Sequence, residues 1–335
     1  MVPISAEIWE EILFNQSLPL IGTNEPDNGN GYHDGISWRM TFRPKKEVGD
    51  SLYSNPFYSI FLRDLGYAVN PSYSSSNKFE KDFKISNCSQ RYHNTLLHYL
   101  TNSGYYGSSE LLRILGQWGE NLCYKGIVIF EIKGWYDNIS SQFYGFELNQ
   151  LDIDYCKIRK DDIIYNAPYE IDGNKEIFKK VRISKSKCII IEFPNELGGY
   201  KEFKRKVEKI KRLGSKYNYT DQPGASLEHM KNWDKQFNKI ISDWGASNKI
   251  EDVTDFYQIL SVLRFNYSII SCVHEIVDGL KQLIKYLNEK LKENATIEFS
   301  INHYDKKEFK EIQNKWMKGE LSFKEVNQII LELNK

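Results

Sequence analysis

A glutamate and a lysine two residues apart give the sequence its strongest chemical signal. They are Glu131 and Lys133 in the run VIFEIKG, residues 128–134. The run has strand composition, and alternate residues of a strand share a face, so the carboxylate and the ammonium stand side by side. A carboxylate so placed can hold Mg2+, while the lysine steadies a water that attacks a phosphodiester. Such a centre needs a further acid at the end of a preceding strand. Upstream, Glu110 and Glu120 fall on a predicted helix, and the nearest acid beyond them is Asp82.

Glu131 and Lys133 therefore supply half of a PD-(D/E)xK-type nuclease motif. The competing reading is a plain hairpin with two solvated charges, and it is the preferred one. Other candidate chemistry is weaker. The chain has no GxxxxGK[ST] loop, no GxGxxG after a strand and no GxSxG elbow. Gly198-Gly199 precedes a helix whose N-terminus could take a phosphate, although a turn plus cap accounts for it better. Residues 25–35, EPDNGNGYHDG, are a loop by composition, and Gly29 and Gly31 stand where calcium ligands should project. His93 and His98 are five apart on a predicted helix, about 140° around its axis, so they cannot chelate one metal. Asp152 and Asp154 alternate along a predicted strand and should face solvent. The five cysteines are scattered with no CxxC pair, which excludes a zinc knuckle and predicts reduced thiols. No metal and no cofactor are expected, and the chain does not read as an enzyme.

A second signal is electrostatic. The chain carries 45 basic and 45 acidic residues, a balance that argues against a uniformly basic nucleic-acid or membrane binder. Residues 201–216 break that balance, with eight Lys or Arg against Glu202 and Glu208. Phe203, Val207, Ile210 and Leu213 fall on one face of a predicted helix, and the basic residues, Lys206 among them, on the other. Lys204, Arg205, Lys209 and Arg212 are the candidates to contact nucleic acid or an acidic neighbouring subunit.

The elements that position these residues predict an α+β fold. It has short hairpins and strands in the middle, then a long helix within a helical C-terminal half. Residues 1–105 read as irregular, with a short helix near residues 5–15 and a loop at 67–78. Residues 106–197 form an α+β region. A helix opens at Ser108 or Ser109, Gly126 ends it, and strands at 127–134 and about 143–153 make a hairpin. Short extended runs follow, and KVRIS and KCIIIEFP are taken as the strands beside an Asp-Gly turn in EIDGNK. Residues 198–335 are mainly helical, with a helix at about 226–244 after the basic one. From Val253 to Lys292 apolar residues recur at steps of three and four with no proline, which predicts one bracing helix. Gly279 is its only glycine, and Gly279→Ala should cost little or stabilise by about 0.5–1 kcal/mol if the helix is straight. A strand and two short helices close the chain, the last begun by a Ser322–Glu325 capping box. Aromatics at 14% rule out a disordered chain. The apolar stretch 259–287 is cut by Arg264, His274, Glu275, Asp278 and Lys281, so no bilayer-spanning segment is expected. The acidic N-terminus lacks the basic start of a secretory signal, which predicts a soluble, non-secreted protein.

The order of these elements resembles the portal proteins of tailed bacteriophages over about residues 108–335. A helix runs through YKGIVIFEI into a hairpin that returns as FYGFELNQLDID. IIIEFPNELGG then leads to an amphipathic helix, the long helix follows, and the chain ends ATIEFSINHYDKKEFKEIQNKWMKGELSFKEVNQII. Gly126 to Glu131 corresponds to the family's hairpin entry, and Gly319-Glu320-Leu321-Ser322 to its late turn before a helix. The resemblance implies a homo-oligomeric ring at a capsid vertex that acts as a conduit for double-stranded DNA. It implies docking to capsid, packaging motor and neck proteins, no catalysis, assembly in the host cytoplasm and residence in the virion. The alternatives are the Mg2+-dependent nuclease using Glu131 and Lys133, or a soluble binding or regulatory protein of a mobile element.

Overall fold

The computed structural model describes residues 31–33, 65, 81–101, 108–172, 175–213, 223–245, 256–301 and 306–333. Its elements are β1 (Gly31–His33), β2 (Lys81–Ser86), α1 (Gln90–Thr101), α2 (Ser108–Lys125), β3 (Ile127–Asp137) and β4 (Phe143–Leu151). Next come β5 (Cys156–Ile158), β6 (Asp162–Asp172), β7 (Lys175–Ser184), β8 (Cys188–Glu192) and α3 (Gly199–Leu213). The chain continues with α4 (Pro223–Ile241), α5 (Phe256–Leu291), β9 (Thr296–Ile301), α6 (Lys306–Met317) and α7 (Phe323–Leu333). The fold is α+β, with three small antiparallel sheets among helices. The helix expected near residues 5–15 and the loop at 67–78 lie outside the described residues.

The loop expected at 25–35 contains strand β1, which pairs with the far end of β3, His33 opposite Trp135. The run at Asp162 extends over eleven residues as β6. It pairs with β7 in a sheet of order β5-β6-β7. Of the two strands assigned to the Asp-Gly turn, only β7 belongs there. β8 crosses to the main sheet and pairs with β3, because its isoleucines complete that sheet's buried face. Asp152 and Asp154 do not alternate on a strand. β4 stops at Leu151, and Asp152 caps a short 3-10 turn by accepting from the Asp154 N–H.

β3 is the centre of the molecule. β4 flanks one edge, while β8 and then β1 flank the other. Residues Ile127 to Trp135 are buried without interruption. Val128, Phe130 and Ile132 face the main core with Leu115, Trp118 and Leu122 of α2 and the long α5. Ile127 and Ile129 face a second core with Ile163, Tyr165 and Ile183 of the small sheet. Gly126, with φ of 74°, turns the chain from α2 into β3, and a Cβ there would stand 2.3 Å from the Phe203 ring.

The long helix is continuous over 36 residues. It lies on β8, whose outer edge it satisfies: Gln282 accepts from the Ile190 N–H (2.9 Å) and donates to the Ile190 carbonyl (3.0 Å). A side-chain amide thus stands in for the missing neighbouring strand. Tyr92 of α1 donates to the Ile284 carbonyl at 3.1 Å. The capping box at Ser322 is formed: Glu325 accepts from the Ser322 N–H and hydroxyl (2.7 and 2.6 Å), and the Glu325 N–H donates back at 3.3 Å. No helix among the described residues is long and apolar enough to cross a membrane.

Gly279 corrects the sequence-based expectation for its replacement. It is buried against β8, where an added Cβ would lie 2.6 Å from Ile191 Cγ1 and 2.8 Å from its Cδ1. Ile191 is itself fully buried, so it has little room to yield. Helix propensity favours alanine by up to about 1 kcal/mol, but overpacking costs about 1–3 kcal/mol, and packing wins. Gly279→Ala is expected to lower the urea midpoint of unfolding; an unchanged or raised midpoint would show that the helix is not held this close to β8.

Candidate functional site

Glu131 and Lys133 share the β3 face that carries Ile127 and Ile129, because all four are odd-numbered in one strand. Directly across lie Asn149 and Glu147 on β4, and Cys188 on β8 beside Glu131. Burial, and then the Glu131 carboxylate, push the Cys188 thiol up to about 12. Glu131 is 0% exposed and Lys133 4%. The reading of two solvated charges is therefore wrong: β3 is covered on both faces, and its register takes the pair inside with the isoleucines. The structure does not bring Asp82 to them, since β2 pairs with β9 in a separate two-stranded sheet. Among the described residues no group of three or more His, Cys, Asp or Glu could hold a metal ion. What the geometry offers around Glu131 is an interior polar strand rather than an open phosphodiester cleft.

The basic helix α3 is positioned by the turn before it. The Gly198 N–H donates to the Asn195 carbonyl (3.0 Å) and the Gly199 N–H to that of Pro194 (2.9 Å), both glycines having positive φ. The Gly-Gly pair thus serves the turn. Phe203 then packs between Phe193 and Trp244, with ring centroids 5.0 and 6.2 Å away. Trp244 is anchored in turn, donating to the Leu197 carbonyl at 3.0 Å.

Lys206 does not join the solvent face. It is 2% exposed, and its Nζ donates to the Ile240 carbonyl and to Asp243 Oδ2, each at 2.8 Å, while lying 4.4 Å from the Trp244 ring centroid. Burial alone would raise the Asp243 carboxyl, but the Lys206 hydrogen bond and charge hold it below its ordinary value. The ammonium sits where α4 ends, so it also meets the negative end of that helix. Lys206 is three residues after Phe203 and four before Ile210, a spacing that marks it as inward-facing.

Lys204, Arg205, Lys209 and Arg212 are exposed along the outer face, with Lys201 and Lys211 beside them. Arg205 is engaged within the helix by Glu202 Oε1 and Oε2, the latter at 2.6 Å, and those bonds hold the Glu202 carboxyl below its usual range. Six basic side chains thus line a solvent-facing strip against two acids, Glu202 and Glu208. The strip can meet phosphates or a carboxylate-rich surface without any change in the core. No known protein family matches the chain, and no curated protein matches it.

Two measurements separate the roles of these residues. Purified protein with Mg2+ is expected to show no DNA cleavage that depends on Glu131, so Glu131→Gln and the unmodified chain should behave alike; a cleavage activity lost on this substitution would restore the nuclease reading. For the outer strip, Arg205→Glu with Arg212→Glu should leave the melting temperature within a few degrees, since surface changes are worth about 0.5 kcal/mol or less. The double change is expected to weaken DNA association and flatten its salt dependence. Unchanged DNA association together with unchanged assembly would make the strip an ordinary solvated face.

Proposed function

We propose that the chain is a structural protein of the portal type, assembling with copies of itself into a ring at a capsid vertex through which double-stranded DNA passes. The order of elements carries this reading. A helix enters a hairpin through Gly126, a small sheet and β8 follow, then α3, one unbroken helix of 36 residues, β9, and a closing helix pair with its capping box at Ser322. That order is the one on which the resemblance rests.

The chemistry is compatible with the role. A conduit must let DNA slide, so strong positive charge over the whole surface would hold it back. The chain has a net charge of zero and concentrates its basic side chains on one helix. In this proposal the α3 strip is the place where DNA or a neighbouring subunit is met. The capsid, the packaging motor and the neck proteins are the further partners, assembly takes place in the host cytoplasm, and no reaction is catalysed.

Light scattering on the purified chain tests the proposal. A closed assembly many times the 39.4 kDa chain mass, ring-shaped by electron microscopy, is expected. A species that stays monomeric or dimeric at every concentration would refute it.

A further inference from the structure

Five large apolar side chains are well exposed among the described residues, and they are not scattered. Tyr257, Met317 and Phe323 gather at one corner, where α5 begins, α6 ends and α7 begins. Trp316 ties the corner together. It stacks on Phe256 (5.0 Å, 19°) and meets Phe323 edge-on (5.0 Å, 89°), while Phe256 meets Tyr257 edge-on at 5.6 Å. The result is an aromatic platform whose outermost ring, Tyr257, is 75% exposed.

The most exposed apolar side chain is elsewhere. Ile139 is 97% exposed at the tip of the β3–β4 hairpin. The turn beneath it is tightly tied. Asp137 accepts from the Ile139 N–H (3.0 Å), the Ser140 N–H (2.6 Å) and the Ser140 hydroxyl (2.9 Å), and the Ser141 N–H donates to the Asp137 carbonyl at 2.9 Å. An isoleucine presented on a preorganised turn loses little entropy on docking, which suits an anchor residue.

Turn and platform lie at opposite ends of α5. Tyr286 faces Phe143 at 6.4 Å and Lys290 lies over the Tyr136 ring at 5.2 Å, which puts the hairpin's outer part at the C-terminal end of the helix. The platform is at its N-terminal end. At about 1.5 Å per residue, roughly 50 Å separates them, so they cannot meet within one chain. Their charges are complementary. Asp137 is the one charge in residues 137–142, and its hydrogen bonds from Ser140 hold its carboxyl below the usual range. The platform is flanked by exposed Lys315, Lys318 and Lys324, against Glu320, which pairs with Lys318 at 3.8 Å, and Glu325, which is held in its cap by Ser322.

We propose that the Ile139 turn of one copy seats on the Tyr257–Met317–Phe323 platform of the next. The occupant of the platform is a second copy of this chain, and the inference rests on the portal-type reading above. A contact between two different patches is heterologous, so it propagates from copy to copy and closes into a ring when the rotation allows. Ile139 is its anchor, and the aromatic platform supplies the apolar seat.

Two substitutions test the contact. Ile139→Asp removes the anchor, and Tyr257→Asp spoils the platform. Both positions are exposed, and an aspartate in the first turn of α5 is favoured by the helix dipole, so each variant should melt like the unmodified chain. Each variant alone is expected to lose the ring and run at the monomer mass. An equimolar mixture should then recover a pair at twice the monomer mass and nothing larger, because one intact turn and one intact platform remain. Retention of the ring in either variant overturns the contact while leaving the ring reading intact, and a mixture that stays monomeric also overturns it. An unmodified chain that is only a dimer, and that either substitution dissociates, supports the contact and refutes the ring. An unmodified chain that is monomeric throughout refutes both.

Discussion

Strand β3 has apolar residues on both of its faces, and the chain around it is arranged to keep water from both. A strand of this kind reads as a near-continuous apolar run and must be covered twice. α2 and α5 cover the side of Val128, Phe130 and Ile132. The small sheet of β6 and β7 covers the side of Ile127 and Ile129. Glu131 and Lys133 are inside because they fall in step with those isoleucines. A slip of one residue would carry both charges into the helical core, so the pairing of β3 with β4 and β8 is strongly specified. The same double coverage explains Gly279. A helix lying along a sheet approaches closely only where it carries no side chain, and Gly279 provides that place over Ile191.

The second organising contact joins α3 to the end of α4. Phe193, Phe203 and Trp244 form an aromatic cluster, and Lys206 lies against the tryptophan with its ammonium given to Asp243 and the Ile240 carbonyl. Breaking a buried pair of this kind leaves a charge uncompensated, a loss of roughly 3–5 kcal/mol. α3 is thus fastened by an aromatic ring and an ion pair on its inner side, while its outer side is free to be as basic as function requires. Fold and surface charge are separable on this helix, which is why the outer arginines can be reversed without touching the core.

Much of this was legible in the sequence where one periodicity dominates. The steps of three and four in α5, the Gly126 break after α2, the β3–β4 hairpin and the Ser322–Glu325 box are all formed. Local patterns failed where a distant element decides. VIFEIKG reads as a hairpin strand with two wet charges until the partners of its second face are known, and those come from residues 163–183. KCIIIEFP reads as a neighbour of the Asp-Gly turn, yet β8 pairs with β3 about sixty residues earlier, as its register shows. Gly279 reads as a tolerated helix glycine because propensity is local and the Ile191 contact is not. Lys206 could have been found, since Phe203, Lys206 and Ile210 share one helical face. The basic strip at 204, 205, 209 and 212 was visible from charge alone, and its pairing of Arg205 with Glu202 followed from their three-residue spacing.

The candidate chemistry and the candidate surfaces point in different directions, and magnitude decides between them. A catalytic carboxylate must reach its substrate, and Glu131 has no exposed surface. The features that do reach solvent are contact features: a basic strip on α3, an isoleucine on a tied turn, and an aromatic corner at the far end of α5. Each is mounted on an element fixed from behind, α3 by Lys206 and Phe203, the turn by Asp137, and the corner by Trp316 stacked on Phe256. Rigid mounting lowers the entropy lost on association, so modest patches can contribute usefully when repeated around a closed assembly. A chain built in this way works through what it touches, and the long helix sets the distance between its two apolar contacts at roughly 50 Å.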